Sequence, residues 1–313
     1  MSRVLESLRL NPLCVDLAGL RLDNPTMLAS GILGYTADTM ETVEKNGAGA
    51  IVSKSVGLKP RRGYANPTVV QVSGGLINAV GLPNPGISRF VGEIHHAKQV
   101  LNVPFVVSIY GFSAEEYAEV AGKAADAGAD AVELNVSCPH VKETGSEIGQ
   151  NPRILANVVQ RVKAAVKVPV FVKLSPNVTS VVEIGEAAVK AGADGLTATN
   201  TVRAIAIDIE TRMPILCNKA GGLSGPAVKP IGLRSVYDLY ERVKVPIVGC
   251  GGVTNWQDAV EYLLAGATAV QVGTAIAIEG TAVFRAISHG VSNFLERKGY
   301  RSVKDIVGLA HRS

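Results

Sequence analysis

Two short phrases recur along this chain at the rhythm of a strand–helix repeat, and they restrict its fold more than any other feature. The first joins a helix end to a glycine turn and an apolar strand: Asn46-Gly47-Ala48-Gly49-Ala50-Ile51-Val52, Ala127-Gly128-Ala129-Asp130, Ala191-Gly192-Ala193-Asp194 and Ala265-Gly266-Ala267-Thr268. The second opens a strand with Val-Pro, at Val103-Pro104, Val168-Pro169 and Val245-Pro246. Glycine suits the left-handed residue that closes a helix, and proline, lacking a ladder donor, is tolerated at a strand's first position. With Pro25-Thr26-Met27-Leu28-Ala29, these phrases predict eight apolar strands near 26–29, 50–53, 104–108, 131–135, 169–173, 195–199, 246–249 and 268–272.

Amphipathic stretches such as Ala114 to Ala127, Pro152 to Val166, Val181 to Ala191 and Trp256 to Leu264 fill the intervals as helices. Continuous apolar strands alternating with helices imply a parallel sheet covered on its outer side. Eight such units close into an α/β (β/α)8 TIM barrel, which at this length is a single domain over residues 1–313. It carries an N-terminal extension and long loops at the carboxyl-end face. A doubly wound open sheet would more often show Gly-x-Gly-x-x-Gly after its first strand, and Ser30-Gly31-Ile32-Leu33-Gly34 does not fit that fingerprint.

Composition then excludes several classes. The formal net charge of +4 is small, and Lys59, Arg61 and Arg62 form the densest basic cluster. With a single tryptophan there is no stacking platform for nucleic acid. Cys14, Cys138, Cys217 and Cys250 lie far apart, so neither a metal site nor a disulfide scaffold is expected. The first residues have charges interleaved with leucines and no apolar signal core, and no run approaches the roughly 18 apolar residues of a membrane span. A cytoplasmic protein without membrane contact is expected.

Barrel active sites gather at the carboxyl ends of the strands. Those ends here hold Ser30, Lys54, Ser55, Ser108, Asn135 to Cys138, Lys173, Thr199, Asn200, Thr201, Gly251, Gly252, Gly273 and Thr274. Insertions at about 55–86, 137–150 and 200–226 fall on the same face and are expected to be binding loops. The glycine pairs after the last two strands suit phosphate, through bare backbone N–H groups, or simple turns. Lys173 and Lys54 suit an anion or electron-rich ring, a Schiff base, or a structural ion pair. Asn78, Asn135 and Asn200 could together recognise a planar amide-bearing ligand. Cys138, just ahead of the strand-stopping Pro139, is either a working thiol or a buried structural cysteine.

Four motifs resemble class 1 dihydroorotate dehydrogenase, most closely the 1B catalytic subunit. They are Asn135-Val136-Ser137-Cys138-Pro139, Phe171-Val172-Lys173-Leu174-Ser175-Pro176-Asn177-Val178-Thr179, Asn78-Ala79-Val80-Gly81-Leu82 and Gly221-Gly222-Leu223-Ser224-Gly225-Pro226-Ala227-Val228-Lys229-Pro230. The resemblance runs from Leu28 to Gly273. It implies FMN as cofactor and oxidation of (S)-dihydroorotate to orotate in pyrimidine synthesis, with Cys138 the general base at C5 while the C6 hydride passes to flavin. By the same resemblance Lys54, Asn78, Ala79, Val80, Gly81, Leu82, Asn135, Asn200 and Thr201 bind substrate. Ser30, Lys54, Ser55, Ser108, Asn135, Lys173, Thr199, Gly225, Gly251, Gly252, Gly273 and Thr274 hold FMN. It further implies a homodimer core that pairs, as a heterotetramer, with a subunit carrying FAD and a 2Fe–2S cluster. His140 stands where many of these enzymes have an asparagine. That Cys-Pro-His form is similar to the flavin domain of dihydropyrimidine dehydrogenase, the alternative reading. A Schiff-base aldolase barrel is a further one.

Overall fold

The computed structural model describes residues 11–137 and 148–312. Of the N-terminal extension, β1 (Val15–Leu17) and β2 (Leu20–Leu22) form an antiparallel hairpin that buries Leu17 and Leu22. Its two-residue turn, Ala18 and Gly19, has φ of 55° and 87°, the left-handed geometry that tight hairpins require.

The barrel strands follow, interrupted by two excursions. The first pair is β3 (Thr26–Leu28) and β4 (Ala50–Val52), after which β5 (Val69–Val72) and β6 (Gly75–Asn78) leave the barrel. The next four are β7 (Phe105–Ile109), β8 (Ala131–Asn135), β9 (Val170–Leu174) and β10 (Gly195–Ala198). Then β11 (Val202–Ile205), β12 (Ile207–Asp208), β13 (Met213–Pro214) and β14 (Ala220–Ser224) form the second excursion, before β15 (Ile247–Cys250) and β16 (Ala269–Val272) complete the ring. The closed order is β3-β4-β7-β8-β9-β10-β15-β16, all parallel, with Val270 of β16 paired back to Thr26 of β3. The eight expected strands are all present, displaced by a residue or so at their ends.

The helices around them are α1 (Ala37–Lys45), α2 (Ile87–Val100), α3 (Ala114–Asp126), α4 (Pro152–Ala165), α5 (Val181–Lys190), α6 (Lys229–Tyr240), α7 (Trp256–Leu264), α8 (Ile276–Glu279) and α9 (Val283–Lys298). Their starts follow local chemistry. Thr36, Ser113, Asn151, Ser180 and Asn255 each accept a backbone N–H at an N-cap, and Pro152 follows Asn151 in the first turn of α4. In α4 the buried side chains are Leu155, Val158, Val159 and Val162, one helical stripe turned to the barrel. Leu155 is fully buried, and truncating it to alanine would cost roughly 2–5 kcal/mol.

The segments at 55–86 and 200–226, expected as loops, supply the strands of a second sheet. It is four-stranded and antiparallel, in the order β11-β14-β6-β5, and joins chain segments far apart in sequence, with Gly222 opposite Asn78. The reason for the difference is composition: β14 reads Ala-Gly-Gly-Leu-Ser, with little strand preference of its own. Its glycines are needed because a Cβ at Gly221 would run into the Asn78 carbonyl. Of the insertion at 137–150, only Ser137 and a short turn, Ile148–Gln150, belong to the described residues. Among the described residues no helix is long and apolar enough to cross a membrane.

Candidate active site

Between the carboxyl ends of the barrel strands and the second sheet lies a cavity of about 760 Å³. Ser30, Lys54, Ser55, Asn78, Ala79, Val80, Gly81, Leu82, Asn135, Lys173, Thr199, Asn200, Thr201, Gly225, Gly251, Gly252, Gly273 and Thr274 all line it. Ser108 is different. Its side chain is fully buried, with Oγ 2.9 Å from Ser55 Oγ, which in turn is 3.2 Å from Ser30 Oγ. It therefore supports the wall from behind. Cys138, with Pro139 and His140, lies outside the described residues.

Part of the wall is a joined amide and hydroxyl network. Asn135, closing β8, donates from Nδ2 to Ser55 Oγ (3.1 Å) and accepts at Oδ1 from Asn200 Nδ2 (3.2 Å). Asn200 Nδ2 also donates to Ser137 Oγ (3.1 Å), while its Oδ1 accepts the Thr201 backbone N–H (2.8 Å). Two of the three asparagines thus fix one another. Asn78 comes instead from β6 of the second sheet, where its Nδ2 donates to the Gly222 carbonyl (3.3 Å). The turn beyond it is held tightly: Gly81 and Leu82 have φ of 79° and 55°, and Arg61 Nε donates to the Gly81 carbonyl (2.7 Å). A Cβ at Gly81 would lie 2.7 Å from the Tyr64 backbone nitrogen.

The turns after β15 and β16 are donor-rich. Among the described residues, the backbone N–H groups of Gly251, Gly252, Gly273 and Thr274 have no hydrogen-bond acceptor. Both Gly251 and Gly252 have positive φ, 129° and 69°, so turn geometry also demands glycine there. The Thr274 hydroxyl donates to Ser224 Oγ (2.8 Å), tying the second sheet to this corner. Behind the turn, Asp258 accepts from the Thr254 backbone N–H (2.9 Å), the Thr254 hydroxyl (2.6 Å) and Lys229 Nζ (2.8 Å). Burial alone would raise the Asp258 pKa, but the Lys229 and Thr254 hydrogen bonds outweigh it and hold the carboxyl below its usual range.

Two lysines face the cavity in different states. Lys173 is 5% exposed and donates from Nζ to Gln271 Oε1 (2.7 Å). Burial works against its charge, yet Cys250 and Glu133 alongside hold its pKa above the ordinary lysine value. Lys54 is 8% exposed and, among the described residues, has no carboxylate within ion-pairing distance. Its backbone is pinned by an N–H bond to the Gly34 carbonyl (2.8 Å), and burial lowers its pKa. An ammonium left without a carboxylate at a cavity wall is a receptor for an anion.

Sequence reasoning missed Gln271, Cys250, Asn177 and Arg203, all of which line the cavity. Asn177 lies inside a quoted motif, and its Nδ2 donates to the Thr201 carbonyl (3.0 Å), so motif membership was a usable signal. Cys250, directly after the strand expected at 246–249, had strand-end position as its signal, whereas Gln271 gave none, because one polar residue in a short strand resembles an outward-facing position.

Comparison with known proteins gives a consistent result. The profile of the family described as Dihydroorotate dehydrogenase matches residues 12–295. A Pyrococcus abyssi protein named dihydroorotate dehydrogenase B (NAD(+)), catalytic subunit, is 52% identical over 296 residues, covering 95% of this chain and 98% of that protein. Proteins of the same name from Pyrococcus furiosus and Methanocaldococcus jannaschii are 51% and 48% identical, each over 95% of this chain and 98% and 97% of their own lengths.

Proposed function

This chain belongs to the dihydroorotate dehydrogenase family, and we propose that it is the FMN-holding catalytic subunit of a cytoplasmic, NAD⁺-linked enzyme oxidising (S)-dihydroorotate to orotate in pyrimidine synthesis. The barrel over 1–313 is then one FMN-binding domain. The observation that carries this reading is the pairing, in one cavity, of two separate anion receptors. Unclaimed backbone donors at Gly251, Gly252, Gly273 and Thr274 suit a phosphate dianion, and the carboxylate-free ammonium of Lys54 suits a substrate carboxylate.

The residues present fit FMN. The glycine turns would hold its phosphate, Ser30, Ser55 and Thr199 would border its ring system, and Lys173 would reach the electron-rich pyrimidine edge. When bound, FMN supplies the acceptor for a hydride. Asn135 and Asn200, locked to each other, present a fixed amide array to the substrate's ring, with Asn78 and the turn through Leu82 contributed by the second sheet. Oxidation removes a proton from C5 and a hydride from C6. We assign the proton to Cys138, next in sequence to Ser137, whose hydroxyl meets Asn200. A thiol must ionise to act as a base, and nearby cations favour that.

The likeness to catalytic subunits named for NAD(+) supports a partner subunit, which would carry FAD and a 2Fe–2S cluster on a homodimeric core of this chain. Lys54 is also what separates this reading from a dihydropyrimidine dehydrogenase, whose uracil-like substrates bring no carboxylate. The test is direct. Denatured protein should release FMN, and dihydroorotate should bleach the bound flavin faster than dihydrouracil does. A colourless protein that traps a carbonyl substrate on Lys173 or Lys54 under borohydride would sink it in favour of an aldolase.

A further inference from the structure

Beneath the cavity the barrel interior holds a polar cluster drawn from four strands: Glu133 (β8), Lys173 (β9), Thr197 (β10) and Gln271 (β16), each at most 5% exposed. Lys173 and Gln271 reach the cavity surface, and Glu133 stands behind them. Glu133 Oε2 accepts two hydrogen bonds, from Thr197 Oγ1 (2.9 Å) and Gln271 Nε2 (2.6 Å). Gln271 in turn accepts from Lys173 at Oε1 (2.7 Å). The other carboxylate oxygen, Oε1, is buried with no hydrogen-bond partner among the described residues, and Lys173 Nζ lies 3.9 Å from it.

This arrangement is not an ordinary buried ion pair. A direct Lys173–Glu133 bridge would use the ammonium's donors and cancel most of its field. An ammonium with no counter-charge would tend to lose its proton on burial. Here two donors hold Oε2, and the Gln271 amide joins cation to anion through its two ends. The ammonium therefore stays charged, with Cys250 as a further neighbour, and it still lines the cavity.

We propose that Glu133 is a positioning residue that sets how much of the Lys173 charge reaches the bound flavin, acting through the Gln271 amide. The inference rests on the FMN reading given above. It implies that Glu133 weakens the pull of Lys173 on negative charge developing in the flavin ring. Thr197, by donating to Glu133, moderates that weakening.

Sulfite tests it, because it adds reversibly to oxidised flavins and leaves negative charge on the ring. In the purified FMN-loaded chain, Glu133→Gln should bind sulfite about tenfold more tightly than wild type, with a raised flavin reduction potential. Thr197→Val, which strips a donor from the carboxylate, should shift both in the opposite direction, by about threefold in sulfite affinity. A packing defect alone would not give opposite signs. Sulfite affinity within twofold of wild type in Glu133→Gln, at unchanged FMN content, overturns the proposal, as does a shift of the same sign in both variants. If Glu133→Gln does not fold, the sign of the Thr197→Val shift decides. A wild-type chain that takes up no FMN overturns the function reading and this inference together, whereas normal FMN uptake with unmoved sulfite affinity overturns this inference alone.

Discussion

The Lys54 ammonium stands over the ring of Tyr35, with Nζ 5.6 Å from the ring centroid. Such a contact is worth about 0.5–1 kcal/mol at an exposed site and about 2 kcal/mol where desolvated, and Lys54 is 8% exposed against a half-open Tyr35. Tyr35 can hold the lysine in place without competing for it. The cation remains available to a ligand.

Lys54→Ala should therefore weaken orotate binding by about 1.5–3 kcal/mol and leave uracil binding nearly unchanged. Because burial lowers the Lys54 pKa, the free protein's orotate affinity is full below that lowered value. It should fall as pH rises through it, earlier than an ordinary lysine would allow. Titrating both ligands against the flavin spectrum across pH checks this, and equal loss of both would contradict it.

Gly252→Ala should lower FMN affinity at least tenfold. A Cβ there would lie 2.7 Å from Lys229 Cβ and 2.8 Å from the Gly225 carbonyl oxygen, at a φ of 69°. Backbone strain of this kind costs roughly 1–3 kcal/mol and would turn the neighbouring N–H donors away. Gly299→Ala, with a similar φ of 73° but nothing within 4 Å, serves as the control that separates strain from site damage. FMN fluorescence titration reads both.

Cys138→Ala should retain FMN but lose dihydroorotate oxidation by about 10²–10⁴-fold, the usual effect of removing a general base. Cys138→Ser should keep a remnant that grows with pH. Stopped-flow flavin reduction at the wild-type rate in the alanine variant would remove Cys138 from this role.

Asp258→Asn should destabilise the chain by about 2–3 kcal/mol, since it weakens a capping box and a charge-assisted bond to Lys229. The Asp258 pKa is lowered on folding, so its contribution is present above the unfolded aspartate range and is lost as pH falls through the folded value. The Lys229 pKa is raised, chiefly by its hydrogen bond to Asp258, so that contribution holds below the unfolded lysine value and is lost as pH rises through the folded one. The variant should flatten both limbs of a melting-temperature profile against pH.

The chain alone should turn over dihydroorotate with artificial acceptors yet reduce NAD⁺ poorly. Robust NAD⁺ reduction by the purified chain would contradict the partner subunit, and efficient turnover with fumarate would point to the 1A type.

The barrel was legible because each strand and helix carries its signal locally. The helix expected from Trp256 to Leu264 has those bounds, and the strand expected at 104–108 occupies Phe105–Ile109. Helix caps and glycine turns act over a few residues, so a linear reading captures them. The second sheet was not legible, since β6 and β14 stabilise each other only across the fold. Most of the cavity-lining residues at strand ends were legible by position. Glu133 was not, because an acidic residue in Ala131-Val132-Glu133-Leu134-Asn135 gives no sign that its side chain points into a closed ring. Ser108 lies one layer behind the cavity wall, since strand position sets its height in the barrel but not which hydroxyl stands in front.

The second sheet also bears on the order in which the molecule is made. Asn78 and Gly222, which it joins, are separated by four barrel strands, β7 to β10, so their pairing carries a large loop-closure cost until those strands have packed. Most neighbouring barrel strands are nearer in sequence, although β16 must return to β3 to close the ring. On the ribosome β5 and β6 can pair early, but β14 can join β6 only once it has emerged, after the four intervening barrel strands. The substrate cavity is thus a late product of folding, and an incompletely folded chain can own most of a barrel while offering no enclosed site.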